Sequence, residues 1–204
     1  MFKAKADQKR LQPYGISVLA GGLSSRMRRD KTRLRLGSRT MLTHIRGTAQ
    51  ELGLRVRIIR RDLVPRCGPL GGVFTALKTS HAEAELFLAC DMPFVSSGLL
   101  ARLLATFEKR RCAVFAETGE TAGFPFLIPC SSLPIVEAQI LKAELSLQRL
   151  AAVLRAQRIQ PAKVQAAQLF NVNTPEDFQA ARQRWEKRSP RSKVTSKNAL
   201  KTRL

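Results

Sequence analysis

The sequence has no long apolar run, no clustered cysteines and very little tryptophan or tyrosine, and each shortage closes off a class of protein. No stretch reaches the length that a membrane span needs. Residues 1–13 are basic and polar, without the apolar segment of a secretory signal, so a cytoplasmic protein with no membrane partner is expected. The four cysteines (Cys67, Cys90, Cys112, Cys130) are widely spaced, with no C-x-x-C pair and no Cys/His cluster. That pattern argues against structural zinc and against a disulfide framework. Cys90 and Cys112 sit in apolar runs and read as small buried hydrophobes. The single tryptophan, Trp185, and single tyrosine, Tyr14, offer no aromatic surface interleaved with cations. Single-stranded nucleic acid is gripped by such a surface, so nucleic acid is not an expected partner. Acidic residues are scarce too: 15 Asp and Glu against 36 Lys and Arg leave a net charge of +21. Seven of those cations lie in residues 187–204, and removing that segment would still leave +14. A chain this basic suits anionic ligands or acidic partners.

What is present is a regular alternation of strand-like and helix-like segments along 204 residues, enough for one domain with a sizeable core. Residues 1–13 read as a disordered basic arm, 14–187 as the folded domain and 188–204 as a disordered basic tail too poor in apolar residues to pack. Strands are expected at residues 16–20, 54–59, 85–90, 112–116 and 124–128, with a short one near 169–170. Helices are expected from Thr40 to about Leu52, from Gly71-Gly72, from Ser96 or Ser97 through Phe107, over 132–141 and 145–155, and from Pro175 to about Trp185. The order predicts a layered α/β fold with a mainly parallel sheet. In such sheets ligands bind at the carboxyl ends of strands. Three loops leave strands there: Gly21 to Lys31, Asp62 to Gly72, and Asp91 to Phe94.

The first of these loops organises the rest. The apolar run Ile16 to Ala20 passes directly into Gly21-Gly22 and then into a cationic stretch ending at Lys31. Glycines let backbone N–H groups approach a ligand closely. Arg26 and Lys31 bring positive charge, Arg as a planar fork and Lys as a point charge. Together they point to phosphate binding. The run is neither a P-loop nor a dinucleotide fingerprint, because neither spacing is present. Asp91 ends the most apolar strand, as a turn residue or a cation ligand; Mg²⁺ needs only one or two carboxylates when a triphosphate completes its shell.

The stretch Leu19-Ala20-Gly21-Gly22-Leu23-Ser24-Ser25-Arg26-Met27-Arg28-Arg29-Asp30-Lys31 resembles the signature loop of the nucleotidyltransferase family that includes the molybdenum cofactor guanylyltransferases. Three further segments follow in that family's order. Cys67-Gly68-Pro69-Leu70-Gly71-Gly72 resembles its G-P-L-(A/G)-G segment, and Ala89-Cys90-Asp91-Met92-Pro93-Phe94 resembles its metal-binding motif. Asn171-Val172-Asn173-Thr174-Pro175-Glu176-Asp177 matches its N-(V/I)-N-T-P-E-D loop residue for residue.

The resemblance implies a three-layer, Rossmann-like nucleotidyltransferase fold and transfer of GMP from GTP to molybdopterin, or to its molybdenum-loaded form. It implies Arg26 and Lys31 on the phosphates and Asp91 on Mg²⁺. Leu19, Ala20, Gly21, Gly22 and Asp62 would complete the nucleotide site. Gly68, Pro69, Leu70, Gly71, Asn171 and Asn173 would line the acceptor side and the loop that closes over it. Transient partners in molybdenum cofactor assembly are implied as well. Three positions depart from the family: Arg28 replaces a glycine, Arg60 or Arg61 stands where a base-contacting asparagine belongs, and Phe124 precedes Pro125 where histidine is common. A cytidylyltransferase or other nucleoside triphosphate transferase of the same fold, and a non-catalytic polyanion-binding relative, are the alternative readings.

Overall fold

The computed structural model describes residues 12–21, 33–161 and 163–188. Strand β1 (Gln12–Leu19) is followed by a two-stranded antiparallel ribbon, β2 (Arg35–Leu36) and β3 (Arg39–Thr40). Helix α1 (Met41–Gln50) begins at Thr40, whose hydroxyl accepts the N–H of Thr43 at 3.1 Å. That satisfies one of the free donors of the first turn. The chain then runs through β4 (Arg55–Ile59), α2 (Gly68–Lys78), β5 (Ala82–Ala89) and α3 (Ser97–Arg110). A tight hairpin, β6 (Val114–Thr118) and β7 (Thr121–Pro129), turns at Gly119, whose φ of 61° suits glycine. Helices α4 (Leu133–Leu141) and α5 (Leu147–Val153), strand β8 (Gln157–Ile159) and helix α6 (Pro175–Arg188) complete the described chain.

The main sheet has the order β4-β1-β5-β7-β6-β8, and β7 alone runs against the others. The fold is therefore α/β with a mostly parallel sheet, as the alternation predicts. Side chains alternate across it because successive Cβ atoms point to opposite faces. Leu86 and Leu88 pack with Ile16 and Val18 against α1 and α3, while Phe87 turns to the face covered by α2, α4 and α5. On that second face Phe87, Phe126 and Phe115 occupy one register row of β5, β7 and β6. Their rings stack at centroid distances of 4.9 and 4.5 Å. A third, smaller core joins the ribbon to α6 through Leu36, Met41, Phe94, Val172 and Ala181.

Four expectations shift. β1 begins at Gln12, inside the predicted arm, because it pairs with β5 from Ala82 onward. α2 begins at Gly68 rather than at Gly71-Gly72, with Pro69 in its first turn. The strand expected near Leu169-Phe170 is a 3-10 turn, Lys163–Leu169, in which Leu169 packs into the first core. Finally, α6 continues past Trp185 to Arg188. The sheet ends instead on β8, whose three residues give too short a pattern to read in advance.

One polar cluster lies inside the second face. Glu85, 1% exposed, accepts from Ser17 Oγ at 2.8 Å, Ser80 Oγ at 2.6 Å and Arg57 Nη2 at 2.8 Å. Arg57 also donates to the carbonyls of Ala76 and Thr79, at the end of α2. A cation there complements the helix dipole. Gly15 is required beside this cluster, since a Cβ would strike the Glu85 carboxylate. Removing one partner of a buried pair leaves the other charge uncompensated. Arg57→Leu is expected to lower unfolding free energy by about 3 kcal/mol in urea titrations, and a second change, Glu85→Leu, to recover part of that loss. An unchanged urea midpoint for the single variant would contradict this role.

Candidate nucleotide-binding site

Three strand ends are knitted together at the carboxyl edge of the sheet. The N–H of Ala20 donates to the carbonyl of Ile59 at 2.8 Å, and the N–H of Cys90 donates to the carbonyl of Leu19 at 3.1 Å. The chains leaving β1, β4 and β5 therefore start side by side. Asp62, on the chain leaving β4, lies between Gly21 and the first turn of α2. A Cβ on Gly21 would stand 2.9 Å from the Arg60 carbonyl and 3.5 Å from Asp62 Oδ1. On the other side, a Cβ on Gly71 would come within 2.8 Å of both Asp62 Oδ2 and the Val64 carbonyl, and one on Gly72 within 3.0 Å of Leu19. Glycine is thus needed at 71 for the Asp62 carboxylate to fit against the first turns of α2, and at 21 for the chain leaving β1 to pass the Arg60 carbonyl.

Thr75 fixes that arrangement. Its hydroxyl accepts the N–H of Leu63 at 2.8 Å and donates to the carbonyl of Gly71 at 2.8 Å. The loop carrying Asp62 is in this way pinned to α2, one residue beyond the carboxylate. Burial pushes the pKa of Asp62 above its ordinary value. The side chain at the α2 N-cap, Cys67, makes no capping bond to the helix, so its first-turn N–H groups have no side-chain cap.

Asp91 stands two residues beyond β5, half-buried, and its carbonyl accepts the N–H of Val172 at 2.9 Å. Val172 is fully buried in the third core, which anchors the segment between the two asparagines. Asn171 is left exposed and Asn173 half-buried. Asp177 Oδ2 accepts the N–H groups of Asn173 and Thr174, each at 2.9 Å, while Thr174 Oγ1 accepts the N–H of Asp177 at 3.1 Å. This reciprocal cap holds the loop's shape and starts α6. The segment is thus a turn and helix cap, and one main-chain bond joins it to Asp91.

The model of the MobA-like NTP transferase domain family matches residues 16–63 and 48–163 of this chain. The chain belongs to that family. It is 31% identical to the molybdenum cofactor guanylyltransferase of Rhizobium meliloti, over 80% of this chain and 88% of the relative. It is 30% identical to that of Pseudomonas putida, over 82% and 96% respectively. Among solved structures it resembles the molybdopterin-guanine dinucleotide biosynthesis protein A of Archaeoglobus fulgidus, with a TM-score of 0.69 and 21% identity. That match covers 85% of this chain and 99% of the other.

Against the MobA-like pattern, the structure brings Leu19, Ala20, Gly21, Asp62, Gly71 and Asp91 to one edge of the sheet, with the 171–173 loop joined to Asp91. Gly22, Arg26, Arg28 and Lys31 lie outside the described residues. Gly68 is exposed at the start of α2, where its φ is 53°, and Pro69 is half-buried. Leu70 is fully buried, and its side chain serves the second core. Arg60 and Arg61 are exposed beyond β4. Phe124 packs on Phe126 at 5.1 Å, an apolar contact at the position where the family resemblance implies histidine. Sequence reasoning missed Thr75 and Val172. The signals were there: Thr75 lies one helical turn beyond Gly71, and Val172 is the apolar residue inside a polar loop.

The Asp62 shift has a definite sign. A carboxyl whose pKa is raised by folding stabilises the protein fully below its unfolded value and loses that contribution as pH rises through the folded value. Asp62→Asn is therefore expected to melt higher than the parent at neutral pH, with the gap closing as the solution is made acidic. Melting curves across that range check this, and a gap independent of pH would show that Asp62 is not desolvated.

Proposed function

We propose that this chain is a molybdenum cofactor guanylyltransferase, transferring GMP from GTP to molybdopterin. An acceptor phosphate oxygen forms a bond to the α-phosphorus of GTP, the bond from that phosphorus to the bridging oxygen breaks, and pyrophosphate leaves. The observation carrying this reading is the convergence of Asp91, the glycine-cradled Asp62 and the 171–173 loop at the carboxyl edge of the sheet. The similarity to the Rhizobium and Pseudomonas enzymes supports the choice of substrates.

Transfers of this kind depend on positioning and on neutralising charge. The backbone from Leu19 to Gly22 binds the nucleotide. Arg26 and Lys31 hold the phosphates, as the signature loop suggests. Asn171 and Asn173 face the acceptor side, on a loop whose distance from Asp91 is fixed by the Val172 bond.

The donor set fits Mg²⁺. Among the described residues no group of three or more His, Cys, Asp or Glu could hold a metal ion, which rules out a complete protein cage there. Mg²⁺ uses one or two carboxylates and takes the rest of its shell from phosphates and water. Asp91 would hold it, and the ion would neutralise charge on the transferring phosphoryl group. Among the described residues no helix is long and apolar enough to cross a membrane.

The test is to incubate the protein with Mg²⁺, molybdopterin and each nucleoside triphosphate in turn while measuring pyrophosphate. GTP should give the fastest release, and only when the acceptor is present. Equal or faster release with CTP would favour a cytidylyltransferase. Asp91→Asn should lower turnover by at least about a hundredfold, in line with the loss of one charged transition-state ligand, with little change in melting temperature. Near-parental turnover at limiting Mg²⁺ would remove Asp91 from the metal site.

A further inference from the structure

On the side of the sheet away from Asp91, β8 is an edge strand. Gln157 donates its N–H inward to the Ala113 carbonyl at 2.8 Å, and β8 pairs with β6 in parallel register from Gln157 to Ile159. The alternation of a parallel ladder then turns the N–H and C=O of Arg158 outward. Among the described residues, that carbonyl receives the side-chain amide of neighbouring Gln157, at 3.3 Å. Next to this edge runs a cleft of about 490 Å³ between β8 and α3, bordered by Arg102, Lys109 and Arg110 on the helix and by Gln157, Ile159 and Gln160 on the strand side. All three cations are exposed.

The charge in this cleft is not balanced. No carboxylate lines it among the described residues. The single carboxylate of α3, Glu108, lies near Tyr14 and, after burial, is the next cause raising the pKa of that tyrosine. Arg57 pairs with Glu85, Arg149 with Glu144 and Arg158, which also lines the cleft, with Glu117; Arg102, Lys109 and Arg110 belong to none of these pairs. Lys109 and Arg110 complement the carboxyl end of α3, but Arg102 lies in mid-helix and that role does not account for it.

We propose that this cleft docks an extended acidic segment of a partner protein, which adds to β8 as a seventh strand. The outward amide and carbonyl of Arg158 supply main-chain pairing, and the α3 cations supply the preference for acidic side chains, as in other strand-addition complexes. The spacing agrees. Arg102 and Arg110 are about 12 Å apart along the helix at 1.5 Å per residue. Two side chains four residues apart on one face of a strand are separated by about 13 Å. The preferred segment therefore carries two acidic residues four positions apart. Nucleic acid is the poorer occupant, because no aromatic ring lines the cleft for bases to stack on. This inference is independent of the nucleotidyl-transfer reading.

The test uses the full chain and a fluorescent peptide with two aspartates four positions apart between valines and threonines, followed by anisotropy at low salt. Binding is expected. It should weaken at least about tenfold when both aspartates become asparagine, and at least about tenfold when the strand-pairing peptide amides are N-methylated. The triple change Arg102→Gln, Lys109→Gln, Arg110→Gln should weaken it similarly, with pyrophosphate release unchanged and only a small fall in melting temperature from the cations lost at the carboxyl end of α3. In the parent protein, bound peptide should slow hydrogen exchange at the Arg158 amide, a readout that does not depend on the variant folding. Absence of binding would overturn the proposal. So would equal binding of the N-methylated peptide, or of a single-stranded oligonucleotide with the same charge, since either would reduce the cleft to a generic polyanion surface.

Discussion

A carboxylate buried to 1% exposure needs a counter-charge, and the way Glu85 obtains one determines where α2 lies. Its partner Arg57 reaches from β4 across Ser17 of β1 and binds the last carbonyls of α2. One guanidinium thus ties two strands to the end of a helix. The neighbouring Thr75 ties the same helix to the loop carrying Asp62, accepting the Leu63 amide and donating to the Gly71 carbonyl one turn nearer the helix start. With the helix held this way, its first turns lie against Asp62, and Gly71 is close enough that any side chain there would collide with it. A helix free to slide would lose that fit.

The second half of the site depends on a different kind of fastening. The 171–173 loop is held by an apolar anchor, Val172, by one main-chain bond to Asp91 and by the Thr174–Asp177 cap at the head of α6. α6 in turn seats on the β2–β3 ribbon through Ala181 and Trp185, whose ring lies 4.2 Å from that of His44. Arg184 and Arg188 lie over the rings of Phe170 and Phe94, at 4.1 and 5.2 Å. Such contacts contribute modestly at exposed positions, and here they cover the aromatic flank of the loop. The small third core therefore carries positional information from the C-terminal helix to Asp91.

Much of this was legible in the residues. Apolar runs such as Leu86 to Ala89 mark strands buried on both faces, and the Thr40 and Ser96 caps mark helix starts. Four short segments in a fixed order marked the family. What escaped did so for physical reasons. Leu169-Phe170 reads as a strand because apolar residues alone do not distinguish a strand from a turn that packs into the core. β8 was hidden because Gln157-Arg158-Ile159 has one apolar residue, and its pairing with β6 is a long-range choice. Arg57 looked like an ordinary polar residue, since its value lies in partners distant along the chain.

The central claim is that Asp62, the first turns of α2, Asp91 and the 171–173 loop form one nucleotide site. Hydrogen–deuterium exchange of the full chain, with and without a non-hydrolysable GTP analogue and Mg²⁺, tests it most directly. The account predicts slowed exchange together at Leu63, at residues 71–75 and at residues 172–174, with β8 and α3 unaffected. Protection confined to one of those segments, or appearing instead along α3 and β8, would contradict it.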